Sequence, residues 1–203
     1  LQKLYKDIDQ YALANDYYSE IALRNVDLTA YMASLRRLVT AYEKNGESGY
    51  NELLPRVKSF SSEFYNDYDS SIDQEKFGAL LTMYVDKLDK KFVPEFLQRE
   101  NLGMSSNESY DQMIRDQYML TSFTSEKDAM SILNLSPEKA ISAIKSDPMY
   151  ALAAEWSGFY TKEISVPYNN IRKEIDLKLA QYTKAQMDVF SEKRFYPDAN
   201  STM

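Results

Sequence analysis

The 203-residue sequence contains no cysteine and no histidine. Without cysteine there is no disulfide frame, no thiolate nucleophile and no sulfur-ligated zinc. Without histidine there is no Ser-His-Asp or Cys-His pair, no HExxH motif and no Glu-x-x-His di-iron bundle. Most hydrolytic and metal chemistry is therefore closed to these residues acting alone, and the sequence predicts no catalytic, cofactor-binding or metal-binding residue within it. No run of eighteen apolar residues is present, so no membrane-inserted helix is expected. A formal charge of −7 argues against a nucleic-acid partner, which needs a basic surface, and against adsorption to anionic lipid.

What the chain does have is tyrosine: 17 of them, within a 13% aromatic content. A tyrosine buries its ring while its hydroxyl seeks a partner, which suits half-wet packing surfaces and interfaces. The length permits one large domain or two small ones with a real core.

The stretch from Asp147 to Phe195 organises the rest. Apolar residues recur at Met149, Leu152, Ala153, Trp156, Phe159, Tyr160 and Ile164, and again at Ile171, Ile175, Leu179, Tyr182, Val189 and Phe190, with Gln186 in the same row. Spacings of three and four mark one buried face of an α-helix. Asp147 before Pro148 fits a helix start, and Pro167 should kink or split the helix. A helix of ~45 residues would be a rod of roughly 65 Å, which is long for a compact core and predicts a reach toward something else. Trp156 reads as its core anchor.

At the other end, Leu4, Tyr11, Tyr18, Asn25, Met32 and Val39 form one seven-spaced row, and Ile21, Leu28, Leu35 and Tyr42 a second. They predict one coiled-coil-like helix from Leu4 to Tyr42. Lys44 to Gly49 reads as a stop and loop, followed by a helix from Glu52 to Tyr65 with Pro55 in its first turn. Asp73 is placed to cap a helix from Gln74 to about Phe92. Pro94 opens a short helix closed by Leu102 and Gly103. Ser105 or Ser106 is expected to cap the next, with Tyr110, Met113, Ile114 and Tyr118 on one face. Ser125 should cap a helix from Glu126 to Leu133, and Ser136-Pro137-Glu138 should start one that ends near Ser146. No alternating run suggests a strand. The expected fold is all-α: long N- and C-terminal helices packed with several short ones.

Four patterns touch on chemistry. Ser136/Lys139 and Ser142/Lys145 match S-x-x-K, but the supporting motifs of Ser-Lys enzymes are missing. Asp67, Asp69, Ser71 and Asp73 resemble the start of a calcium loop, yet the positions that need Gly and Glu hold Ile72 and Gly78. Tyr17, Tyr18, Tyr160, Tyr168 and Tyr182 could line a groove or simply pack. Asn200-Ser201-Thr202 matches a glycosylation sequon.

The C-terminal third carries a resemblance. Ser146-Asp147-Pro148-Met149, the long aromatic-bearing helix and then Phe195-Tyr196-Pro197-Asp198-Ala199-Asn200-Ser201-Thr202 resemble the end of the helical domain of bacterial dipeptidyl-peptidases 7 and 11, serine peptidase family 46. The segment from Ile72 to Tyr84 and the phrase Ser136-Pro137-Glu138-Lys139-Ala140 resemble earlier parts of that domain. Tyr196 departs from the family phrase, which often reads Phe-Pro directly. The resemblance implies a periplasmic enzyme releasing dipeptides from peptide N-termini, built on a chymotrypsin-like double β-barrel with an inserted helical cap. None of its triad maps here. By this reading residues 1–194 are the cap, and 195–203 begin the return to a catalytic β-barrel absent from this chain, which reads as a piece of a larger protein. The implied partners are that barrel and a peptide substrate. The competing expectations are a free-standing helical module binding a protein or peptide, and a stand-alone Ser-Lys hydrolase acting through Ser136 or Ser142.

Overall fold

Gly46 turns the longest helical stretch back on itself, and the rest of the molecule is built against the resulting hairpin. The computed structural model describes residues 1–190 and Glu192. Among these it holds eight α-helices, short 3-10 and π-helical pieces, and no strand, so the chain is all-α as its periodicity predicts. The phrase from Phe195 to Thr202, the sequon at Asn200 and the 194/195 boundary lie outside the described residues.

Helix α1 spans Gln2–Ser19 and runs into a π-turn over Glu20–Asn25; helix α2 spans Asp27–Asp67. The expectation of one helix from Leu4 to Tyr42 is corrected here. Val26 is extended, at φ −105° and ψ 104°, and α2 starts afresh after it. The seven-spaced rows survive the break because both sides face one core: Tyr18, Ile21, Leu28, Met32, Leu35 and Val39 are buried. Asn25, in the same row, is exposed and donates to the Glu20 carbonyl. The break has a tertiary cause. The Asp73 carboxylate accepts the first free N–H groups of α2, from Asp27 at 2.7 Å and Leu28 at 3.0 Å.

Within α2 the helix is interrupted at Gly46, whose φ of 60° and ψ of −147° suit glycine alone. Gly49 is already helical and buried, so the predicted start at Glu52 is late and Pro55 lies inside the second arm. Gly49 is needed for close approach: a Cβ there would meet the Ala41 carbonyl oxygen at 2.4 Å. The arms meet through Tyr31, which stacks on Phe64 at 4.7 Å and whose hydroxyl bonds that of Ser61 at 2.8 Å.

Helix α3, Ser70–Lys87, is capped by Asp69, which accepts from the N–H groups of Ser71 and Ile72. Asp73 is therefore not its cap; it lies in the first turn and turns inward to α2. Pro94 leads into a 3-10 turn, Glu95–Leu97, rather than a helix. Helix α4, Asp111–Leu120, starts without a side-chain cap, so neither Ser105 nor Ser106 serves. Glu108 instead bonds back to Ser105 and closes a local turn. Tyr110, Ile114 and Tyr118 are buried as the face predicts.

Helices α5, Glu126–Leu133, and α6, Pro137–Ser146, start where expected; Ser125 caps α5, while the Ser136 side chain makes no cap bond. Helix α7, Pro148–Phe159, is capped by Asp147, which also accepts from Thr121 and Ser122. A π-turn over Tyr160–Ser165 leads straight into α8, Val166–Val189. Pro167 thus neither splits nor ends the helix: the turn just before it widens and absorbs the missing donor. The run from Pro148 to Val189 spans roughly 60 Å at 1.5 Å per residue.

The first arm of α2 packs on α7 and α6, the second on α5, α3 on α4, and α1 along α8. Trp156, 1% exposed, is the anchor the pattern predicts. It meets Tyr18 edge-on at 5.3 Å, Tyr84 edge-on at 5.2 Å and Phe77 in a stack at 6.1 Å, joining α1, α3 and α7. No helix among the described residues is long and apolar enough to cross a membrane.

Candidate functional site

The S-x-x-K pairs do not form nucleophile–base pairs. Ser136, Lys139, Ser142 and Lys145 are all exposed on α6 or its cap position, and the Lys145 ammonium is taken by Glu43 at 2.8 Å. A serine in open solvent has no desolvated lysine to take its proton. The acidic turn does not gather around a cation position either. Asp69 is used by the α3 N-terminus, and Asp73 by Asp27, Leu28 and the Tyr118 hydroxyl at 2.6 Å. Among the described residues no three carboxylates converge.

The tyrosines behave differently from one another. Tyr18 and Tyr160 stack face to face at 3.8 Å, and the Tyr160 hydroxyl donates to Asn15 at 2.7 Å. Tyr17 and Tyr168 are half-buried, whereas Tyr182 is 58% exposed far along α8. The five do not share a groove. Tyr18, Trp156 and Ser157 instead border a small, partly open cavity of about 50 Å³ with Arg36 and Thr29. Arg36 donates to the Ser157 hydroxyl, which fixes the guanidinium over this cavity. Burial pushes the Tyr18 phenol up, while Ser157 and Arg36 pull it partly back.

Arg36 also begins a larger concave surface that the sequence reading missed. Ala33, Arg36, Arg37, Thr40, Ala41, Lys44 and Asn45 line an open depression of about 490 Å³ along the first arm of α2. Ala33 and Arg37 also border a second, of about 260 Å³, floored between the arms by Leu53, Val57 and Phe60 and edged by Arg56. Alanines at 30, 33 and 41 keep this face low, and arginine and lysine stems wall it. The adjacent arginines at 36 and 37 were the available signal, masked by an acidic total of 31 against 24 basic residues.

A further surface lies on the long run. Ile175 is the last buried residue of α8. Beyond it Leu179, Tyr182 and Val189, on the predicted apolar face, are exposed, Val189 by 72%. The long rod therefore does reach past the body, and α1 lies alongside its inner half.

The family model for peptidase S46 matches residues 1–203. The chain is 26% identical over 202 residues to a protein of Flavobacterium psychrophilum named Asp/Glu-specific dipeptidyl-peptidase. It is 28% identical over 205 residues to a protein of the same name from Capnocytophaga gingivalis. These matches cover 100% and 99% of the chain but only 27% of each relative's length.

Proposed function

We propose, from the premise that this chain belongs to the peptidase S46 family, that it is the helical cap of a serine-type dipeptidyl-peptidase. In this reading the unit carries no catalytic residue. It covers the active-site cleft of a β-barrel domain of the same polypeptide and limits access to free peptide N-termini. One observation carries the proposal. The first and last described helices, α1 and α8, lie side by side, and α8 continues past the body with an exposed apolar row. The exposed apolar row gives the unit a surface to dock on a further domain of a larger polypeptide. A cap of this kind excludes water and selects chain ends when it closes.

The relatives' names make peptides with Asp or Glu within the first residues the first substrates to try. The parent polypeptide, incubated with such a peptide and followed by mass spectrometry, should release N-terminal dipeptides in succession. Single-residue release, internal cleavage or no cleavage of any dipeptidyl substrate would overturn the proposal. A periplasmic location belongs to the same reading: fractionation should recover the parent with periplasmic markers, and recovery with cytosolic ones counts against it.

A further inference from the structure

We infer that the groove along α2 binds an acidic polypeptide segment in extended form, and, resting on the proposed peptidase function, that this segment is the substrate chain beyond the dipeptide removed. The first argument is charge. Arg37, Lys44 and Arg56 have no carboxylate within ion-pair distance among the described residues. The two depressions are lined by Arg36, Arg37, Lys44 and Arg56 and by no carboxylate, a one-sided charge within a chain of net charge −7. A basic strip left unpaired in an acidic protein attracts acidic ligands, and the guanidinium fork suits carboxylates. Arg36 is held in place by Ser157 rather than by an acid.

The second argument is shape. The strip runs from Ala30 to Asn45, roughly 22 Å of helix, which matches six or seven residues of extended chain at about 3.3 Å each. Arg37 and Lys44 stand about 10 Å apart along the axis, close to three residues of such a chain. The apolar floor of Leu53, Val57 and Phe60 receives side chains between the carboxylates. Nucleic acid fits less well: a few cations release few counterions, and the net charge repels a polyanion.

The test is fluorescence anisotropy on the parent polypeptide. The probe is a labelled ten-residue peptide of alternating Glu and Ala with a blocked N-terminus, so that it reports on the groove and not on turnover. Binding should weaken about tenfold when every Glu becomes Gln, and about tenfold in Arg37→Glu/Arg56→Glu. Both arginines are exposed, so the variant should fold; Lys44→Glu, also exposed, gives an independent reading in the same direction. Equal binding of the Glu and Gln peptides overturns the inference. So does binding indifferent to the charge reversals, or tighter binding of a DNA oligonucleotide of equal charge. A parent that binds the blocked peptide in this way yet releases no dipeptides keeps the groove and loses the proposed function.

Discussion

Asp73 serves a helix other than its own. Its carboxylate takes two N–H groups of α2 and the Tyr118 hydroxyl, from a position 1% exposed. Asp73→Ala leaves these donors unsatisfied and should destabilise the domain by about 3 kcal/mol in urea unfolding. Burial raises the Asp73 carboxyl above the usual carboxylate value, against the opposing pull of its hydrogen bonds. A folded value above the unfolded one gives a proton-linked stabilisation that is fully present below the unfolded value. It is lost as pH rises through the folded value. The stability advantage of the native chain over Asp73→Asn should therefore shrink as pH rises above the usual carboxylate range, and an advantage that grows contradicts the assignment. Trp156 makes the simpler case: Trp156→Ala empties the junction of α1, α3 and α7 and should cost about 3–5 kcal/mol. At this scale Trp156 was legible, because a period of three and four states which face is buried. Asp73 was not, because the donors it holds lie 45 and 46 positions away and leave no local mark.

Helix starts with local chemistry were read correctly: Ser125, Asp147-Pro148 and Ser136-Pro137 all precede helices. Starts made by tertiary contact were not. Between α1 and α2 the seven-residue rows cross a break that only the Asp73 cap explains. Gly46 and Gly49 look alike as loop residues, yet one turns the chain and the other lets two arms touch. Substitution separates the roles. Gly46→Ala forces an L-residue into a glycine-only backbone and should cost about 1–3 kcal/mol. Gly49→Ala meets the Ala41 carbonyl and should cost a similar amount by overpacking. Adding a flexible residue beside position 46 should relieve the first loss and not the second; relief of both, or of neither, would show that the two glycines do one job. Pro167 marks the reverse limit of local reading. It signals an interruption, but the π-turn before it keeps the rod continuous.

For the whole molecule, a body built on the α2 hairpin holds a rod whose outer end has no cover within the described residues at Leu179, Tyr182 and Val189. The all-α class and the outward reach were both legible, since each follows from the period and length of the apolar pattern. The basic groove was not, because net charge averages away a local strip. On the proposed reading, body and rod act together as a cap over a cleft that this span does not itself form. The most direct test replaces residues 1–190 in the parent polypeptide with a short Gly-Ser linker. Dipeptide release is then compared on a free peptide and on its N-acetylated form, with labelling by a serine-directed phosphonate to confirm an intact catalytic domain. The account predicts that labelling persists while dipeptide release from the free peptide falls at least about tenfold or the acetylated peptide becomes a substrate. An unchanged rate with unchanged selectivity would contradict it.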